Sequence, residues 1–420
     1  MPSSLSCSAT KLFTGLCLGS FFFALGCNDH AEFDGSAYLA ENTGEAEAEA
    51  ESETEIPDSS EASSGKPSES AHSEDPAEVE KVKPESPAAP PANIGPAPVQ
   101  LEAAEAEIKR RSDGSVAEVH LRKTPATDAM AEEIGRFKKL VKLTINNSEM
   151  TEAGWAQLSN LGELQQFDLR GCAVNNKQLT VAIAGMPKLR ALRLNGKSGL
   201  TTVDDLAMEA LSKCTELKAL ALDHLWVGVD GLKPLQACNK LSELYLAATL
   251  VDDEALEVIA GFPALKKLRI AQTSVSGDGM QHLTKLSLED LDASECSVLN
   301  DDSLKIVGSF TTLKRLNLFK VPLSDLGVDN LAGLTALTWM NLDQTGLTDE
   351  GMPALKGMTK MQFLHLGSTG VSDLGLEHLK AMHSLKNLIV TRTAVTEAGV
   401  SDIKKAISGV EVQLKYVEGE

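Results

Sequence analysis

Eight histidines and seven cysteines are the residues of this 420-residue chain best suited to metal, redox or nucleophilic chemistry. Their spacing assembles none of it. His378 and His383 are five apart, so on a helix they miss the shared face that a metal pair needs. Cys172, Cys214, Cys238 and Cys296 lack the C-x-x-C spacing of a zinc or redox site. No glycine-rich phosphate loop occurs, and no Ser, His and Asp announce a nucleophilic triad. What does recur is a hydroxyl followed by an acid, as in Ser324-Asp325, Thr348-Asp349, Ser372-Asp373 and Thr396-Glu397. One such pair could suggest a calcium ligand or a catalytic acid. Its recurrence marks helix starts instead: the hydroxyl caps an orphan N–H and the acid sits at the positive end of the helix dipole. We therefore read the chain as non-catalytic, with no cofactor and no metal ligands.

These pairs belong to a larger period. Aligned on the first residue of L-x-x-L-x-L, twelve copies start at Val116, Leu140, Leu164, Leu189, Leu217, Leu241, Leu265, Leu288, Leu313, Leu337, Met361 and Leu385, and seven of the eleven gaps are 24 residues. The final L-x-L alternation predicts a short strand with its leucines turned inward. Three residues on stands Thr, Ser or Cys (Thr124, Ser148, Cys172, Thr249, Thr273, Cys296, Thr345, Thr369, Thr393). A short side chain that bonds nearby backbone suits the turn leaving the sheet. An apolar plug, the capping pair and a G-[LMV]-x-x-L-x-x-[LM] helix complete each unit, the helix packing its apolar stripe back onto the strands. One unit alone buries nothing; twelve stacked units share one core.

The repeats resemble the leucine-rich repeat family, specifically the V-[ST]-D-x-G-L type of cysteine-containing and F-box-associated repeats, over about residues 116–409. The resemblance implies an α/β solenoid, a curved horseshoe of about twelve repeats with parallel strands on the concave face and helices on the convex face. It also implies binding, usually of protein, on that concave face. Eukaryotic members serve ubiquitin ligases through a separate F-box, and nothing before these repeats resembles one. Residues 101–115 are expected to form an N-terminal capping helix, and 410–420 a C-terminal cap strand and tail. Cys214 and Cys238, 24 apart, should stack on neighbouring coils, either as a disulfide or as two small buried hydrophobes.

Side chains between the leucines should face solvent on the concave side. The L-x-L column reads His120, Thr144, Asp168, Arg193, Ala221, Tyr245, Arg269, Asp292, Asn317, Asn341, His365 and Ile389. Phe137, Phe167, Phe262 and Phe310 fall on core positions, whereas Tyr245, Phe319, Trp339 and Phe363 fall on outward ones. Trp339 and Phe363 share a column on adjacent rungs, with Phe319, Asn341 and His365 nearby. Aromatics exposed there would serve as binding hot spots for a protein or peptide partner; alternatively they stack only to stabilise the sheet. Beside Asn341, Asp343 and Gln344, they would also suit a glycan in an adhesive envelope protein.

The N-terminus suggests an address. Lys11 precedes an apolar run, residues 12–27, too short to span a bilayer comfortably; it reads as a signal peptide. Its end, Ala24-Leu25-Gly26-Cys27, resembles the lipobox of bacterial lipoproteins, which implies acylation of Cys27 and a membrane anchor in the cell envelope. Ala24 stands where leucine is commonest, so ordinary cleavage before Cys27 is the second reading. Residues 28–100 hold eighteen Asp and Glu against three Lys, and nine of the sixteen prolines. Such a segment cannot bury enough apolar surface to fold and is expected to be a disordered acidic spacer of roughly 45–50 Å span, or else a lure for a cationic partner. With no basic cluster and a formal charge of −21, nucleic acid is excluded as a partner.

Overall fold

A computed structural model describes residues 97–415 of the chain. The signal peptide, Cys27 and nearly all of the acidic linker lie outside these residues. The first seven strands are β1 (Glu107–Arg110), β2 (Val116–Leu121), β3 (Lys142–Ile145), β4 (Gln166–Asp168), β5 (Ala191–Asn195), β6 (Ala219–Asp223) and β7 (Glu243–Tyr245). The next seven are β8 (Lys267–Arg269), β9 (Asp290–Asp292), β10 (Arg315–Asn317), β11 (Trp339–Asn341), β12 (Phe363–His365), β13 (Asn387–Ile389) and β14 (Glu411–Gln413). They pair in sequence order as one fourteen-stranded sheet. From β2 onward every pairing is parallel, and each L-x-L column predicted above stays in register: Asn317, Asn341, His365 and Ile389 face one another across β10 to β13. The inward leucines, with Phe167, Phe262 and Phe310, form one continuous core. Phe137 is only partly buried at its edge.

Outside the sheet lie short helices of four to ten residues, such as Asp253–Ile259 and Glu397–Ala406, and one coil substitutes a 3₁₀ turn, Met352–Gly357. Their start explains the repeating pair more fully than capping does. The Asp at the first helical position turns to the next coil and accepts two bonds from its cap. Asp325 takes the Thr348 N–H and hydroxyl, both at 2.7 Å. Asp128, Asp253, Asp349 and Asp373 do the same to Thr151, Ser276, Ser372 and Thr396. The glycine two residues after that Asp position in the next coil is what makes room. At Gly351 a Cβ would fall 2.5 Å from Asp325 Oδ1, and at Gly399 it would fall 2.0 Å from Asp373 Oδ1.

The turn out of each strand behaves as its small polar slot suggested. Thr249, Thr273, Thr345, Thr369 and Thr393 donate to the carbonyl three residues earlier at 2.6–2.7 Å. Cys172 and Cys296 reach back to the carbonyls of Ile145 and Ile270 at 2.9 and 3.0 Å. One feature escaped the sequence: the residue before this slot is left-handed in coil after coil, with φ near 50–60° at His224, Ala248, Gln272, Glu295, Lys320, Gln344, Ser368 and Arg392.

The N-terminal cap differs from the expected helix over 101–115. Helix covers only Val99–Ala103, and β1 then pairs antiparallel with β2. The alanines and glutamates of this stretch favour helix, but the open edge of β2 carries unpaired backbone groups that only another strand can satisfy. The hairpin turns at Asp113-Gly114, where Gly114 has φ 79°. Glu133 ties the helix down by accepting the Gln100 and Leu101 amides at 2.9 and 3.1 Å. At the other end β14 pairs with β13. All four described cysteines are unbridged and buried; the Cys238 thiol donates to the Cys214 carbonyl at 3.6 Å, so the two stack without a disulfide.

Two substitutions test these constraints by thermal or urea unfolding. Gly351→Ala should cost about 1–3 kcal/mol through overpacking against Asp325, whereas Gly357→Ala, with nothing closer than 3.9 Å, should change little. Ala248→Gly should raise stability by up to about 1 kcal/mol, because alanine is strained at φ 53°.

Candidate functional site

The concave sheet face divides into two stretches. Over β4 to β9 it is a close-packed ladder of charges. Arg193 lies 3.4 Å from Asp168, and Lys267 Nζ lies 2.9 Å from Glu243. Arg269 bridges Asp223 and Asp292, each at 3.2 Å. Rungs about 4.8 Å apart press these side chains together, so much of this charge is withdrawn from water. Burial drives Asp290 up to about 7, with Asp292 adding and Lys267 opposing. Asp292 itself is raised by burial, against the pull of Arg269. Tyr245 belongs to this ladder: it is 8% exposed, its hydroxyl donates to Glu243 at 3.0 Å, and burial raises its phenol.

Over β10 to β12 the face becomes aromatic. Arg315, Trp339 and Phe363 are in register on three adjacent strands. The Trp339 and Phe363 rings stack with centroids 5.1 Å apart and planes 5° from parallel. The Arg315 guanidinium lies 4.2 Å over the other side of the indole. The ring separation nearly equals the strand spacing, so the stack follows from in-register parallel pairing. Burial lowers Arg315 to about 10, which leaves it a cation at neutral pH. Both indole faces are therefore covered, and the rings offer their edges. Trp339 and Phe363 are half-buried.

Beside the rings the strand column continues with Asn341 and His365, also half-buried. Asn341 Oδ1 accepts the Asp343 amide at 2.9 Å. His365 Nε2 is 3.9 Å from Asp343 Oδ2. Burial holds this imidazole below its ordinary range, and Asp343 opposes. A Cβ at Gly367 would lie 2.8 Å from His365 Nε2, 2.9 Å from Asp343 Oδ1 and 3.1 Å from Thr391 Oγ1. Glycine thus lets these three polar groups close in over the backbone. The structure gathers Phe319, Trp339, Asn341, Phe363 and His365 around β10 to β12, with Phe319 8% exposed at the margin, and leaves Tyr245 apart on β7. Sequence reasoning overlooked Arg315 and Gly367. Register would have found the first, two residues before Asn317 on the same strand; only coordinates reveal the close approach at Gly367. Among the described residues, no group of three or more His, Cys, Asp or Glu is placed to hold a metal ion.

No protein-family model and no curated protein matches the chain. Solved structures do. An internalin from Listeria monocytogenes superposes with a TM-score of 0.51 at 19% identity, covering 76% of this chain and 84% of its own. The fold is a leucine-rich repeat solenoid. A leucine-rich repeat protein of Leptospira interrogans is similar at 15% identity over 67% of this chain and 80% of its own, with a TM-score of 0.39.

The raised Asp290 makes a signed prediction for this solenoid. A carboxyl whose folded pKa exceeds its unfolded value favours folding at low pH and loses that contribution as pH rises towards about 7. Between pH 5 and 8 the wild type should lose stability relative to Asp290→Asn by about 1–3 kcal/mol. Urea unfolding of both proteins across that range measures it; a constant difference would show that Asp290 is ionised throughout.

Proposed function

We propose that the chain is a binding module held at the cell envelope, recognising a protein or peptide on the concave face at β10 to β12. The Arg315–Trp339–Phe363 stack carries this reading. Its ring edges and the neighbouring Asn341 and His365 side chains together offer apolar contact beside hydrogen-bonding groups, the combination found at interface hot spots. The same geometry favours a protein over a glycan. Sugars stack on open ring faces, and the Trp339 faces are covered by Arg315 and Phe363. Asn341 and His365 would read polar groups of the partner, Phe319 would border the site, and Tyr245 would brace the neighbouring charge ladder. Anchoring rests on the lipobox-like sequence ending at Cys27; no helix of the described residues is long and apolar enough to cross a membrane.

Crosslinking in intact cells followed by mass spectrometry identifies the partner. Trp339→Ala with Phe363→Ala should then weaken its binding at least thirtyfold, the effect of about 2 kcal/mol lost at a hot spot, while the far-UV spectrum is retained. Unchanged affinity would leave this face idle. Mass analysis of the mature N-terminus should find acylated Cys27; an unmodified cysteine would refute the anchor.

A further inference from the structure

The rim at the C-terminal ends of the strands carries a second, unrelated surface. In each coil one residue precedes the apolar plug on this rim. In the last coils it is Pro322, Gly346, Gly370 and Ala394. In two middle coils it is large: Trp226, 78% exposed, is followed one rung later by exposed Leu250, and Ser274 then ends the run. Trp226 bridges Asp204 of the preceding coil, and Leu206, bonded through its amide to Asp204 at 2.9 Å, is 79% exposed beside it. Leu200 joins them from the loop of the longest repeat, 28 residues, where the extra chain around Gly199 lifts it into solvent. Leu326 and Leu374 are also exposed, but each stands in a coil whose rim residue is Pro322 or Gly370. Four large apolar side chains gathered on adjacent coils are not an accident of single exposed residues.

An acidic collar surrounds the patch. Asp204, Asp205, Asp230, Asp252 and Glu254 occupy the helix starts of the same coils. Lys233 partly answers them, 3.2 Å from Asp230 and 3.8 Å from Glu254. Of the other lysines of these coils, Lys197 follows β5 and shares this rim, whereas Lys213, Lys218 and Lys240 precede the strands and so lie at the opposite rim. We propose that this rim docks an amphipathic cationic helix of a partner protein, its apolar stripe on Trp226 and Leu250 and its lysines or arginines on the collar. The spacing suits it: three rungs span roughly 10 Å, about two helical turns. The collar would repel an anionic membrane surface and a second acidic copy of this chain.

The test uses the purified full-length chain and an eighteen-residue synthetic helix with leucine on one face and lysine on the other. Trp155 is fully buried and Trp339 is stacked, so exposed Trp226 dominates any shift in emission. The peptide should produce a saturable blue shift, weakened by salt. Trp226→Ser and, separately, Leu206→Ser should each raise Kd about tenfold without altering thermal unfolding, since both side chains are exposed. Glu254→Lys with Asp230→Lys should raise it further. Equal binding of a leucine–glutamate helix, or affinity indifferent to Trp226→Ser, would overturn the proposal. So would a Trp226-dependent shift with phosphatidylglycerol vesicles or Trp226-dependent dimerisation in sedimentation, which would assign the patch to a membrane or to a second copy.

Discussion

In six coils one carboxylate, from Asp128, Asp253, Asp301, Asp325, Asp349 or Asp373, sets the position of the next coil. Leucines exclude water from the interior, but apolar contact is non-directional and would tolerate slippage between neighbouring coils. The Asp that starts one helix and grips both the N–H and the hydroxyl of the next cap does not. Two charge-assisted bonds with fixed directions hold coil to coil at one height, and the facing glycine admits the carboxylate. Where the staple occurs, the period is held on the convex side by polar bonds and filled on the inside by leucine. Repeat proteins gain stability from such nearest-neighbour terms, so a fault at one staple should be felt locally.

Everything on the concave face inherits that register. Side chains of one column are brought to strand spacing whether or not they attract. Where the column alternates in sign the outcome is a ladder of partly buried ion pairs; where it holds rings the outcome is a stack. Neither is automatically stabilising. Withdrawing charge from water is costly, and a buried pair with imperfect geometry repays only part of that cost. Asp290 and Asp292, facing each other's charge on one strand, show the strain as raised carboxyl pKa values. A sheet that carries such a ladder across β4 to β9 and then changes to aromatics at β11 and β12 presents two chemically distinct stretches to whatever lies on it.

The rim adds a second asymmetry. Its row residue is small in the last coils and large at Trp226 and Leu250, in the two coils after the longest repeat. The aromatic stack and the apolar rim therefore occupy different coils and different faces.

The repeat start points, the inward leucines, the hydroxyl slots and the outward columns were all readable from residue spacing, because each coil is a local unit whose side-chain direction follows from period 2 and from capping chemistry. Trp339 and Phe363 were readable as rung neighbours for the same reason. What the staple Asp binds, the left-handed residue in each turn, the hairpin over β2 and the covering of the Trp339 faces were not. Tyr245 marks the boundary: its outward position follows from alternation, while its burial follows from Glu243 and the neighbouring strands that close over it. Sequence fixes which way a side chain points from its own strand; only tertiary structure decides what stands on the adjacent rungs, about 4.8 Å to either side, and hence whether an outward residue meets water, a charge or another ring.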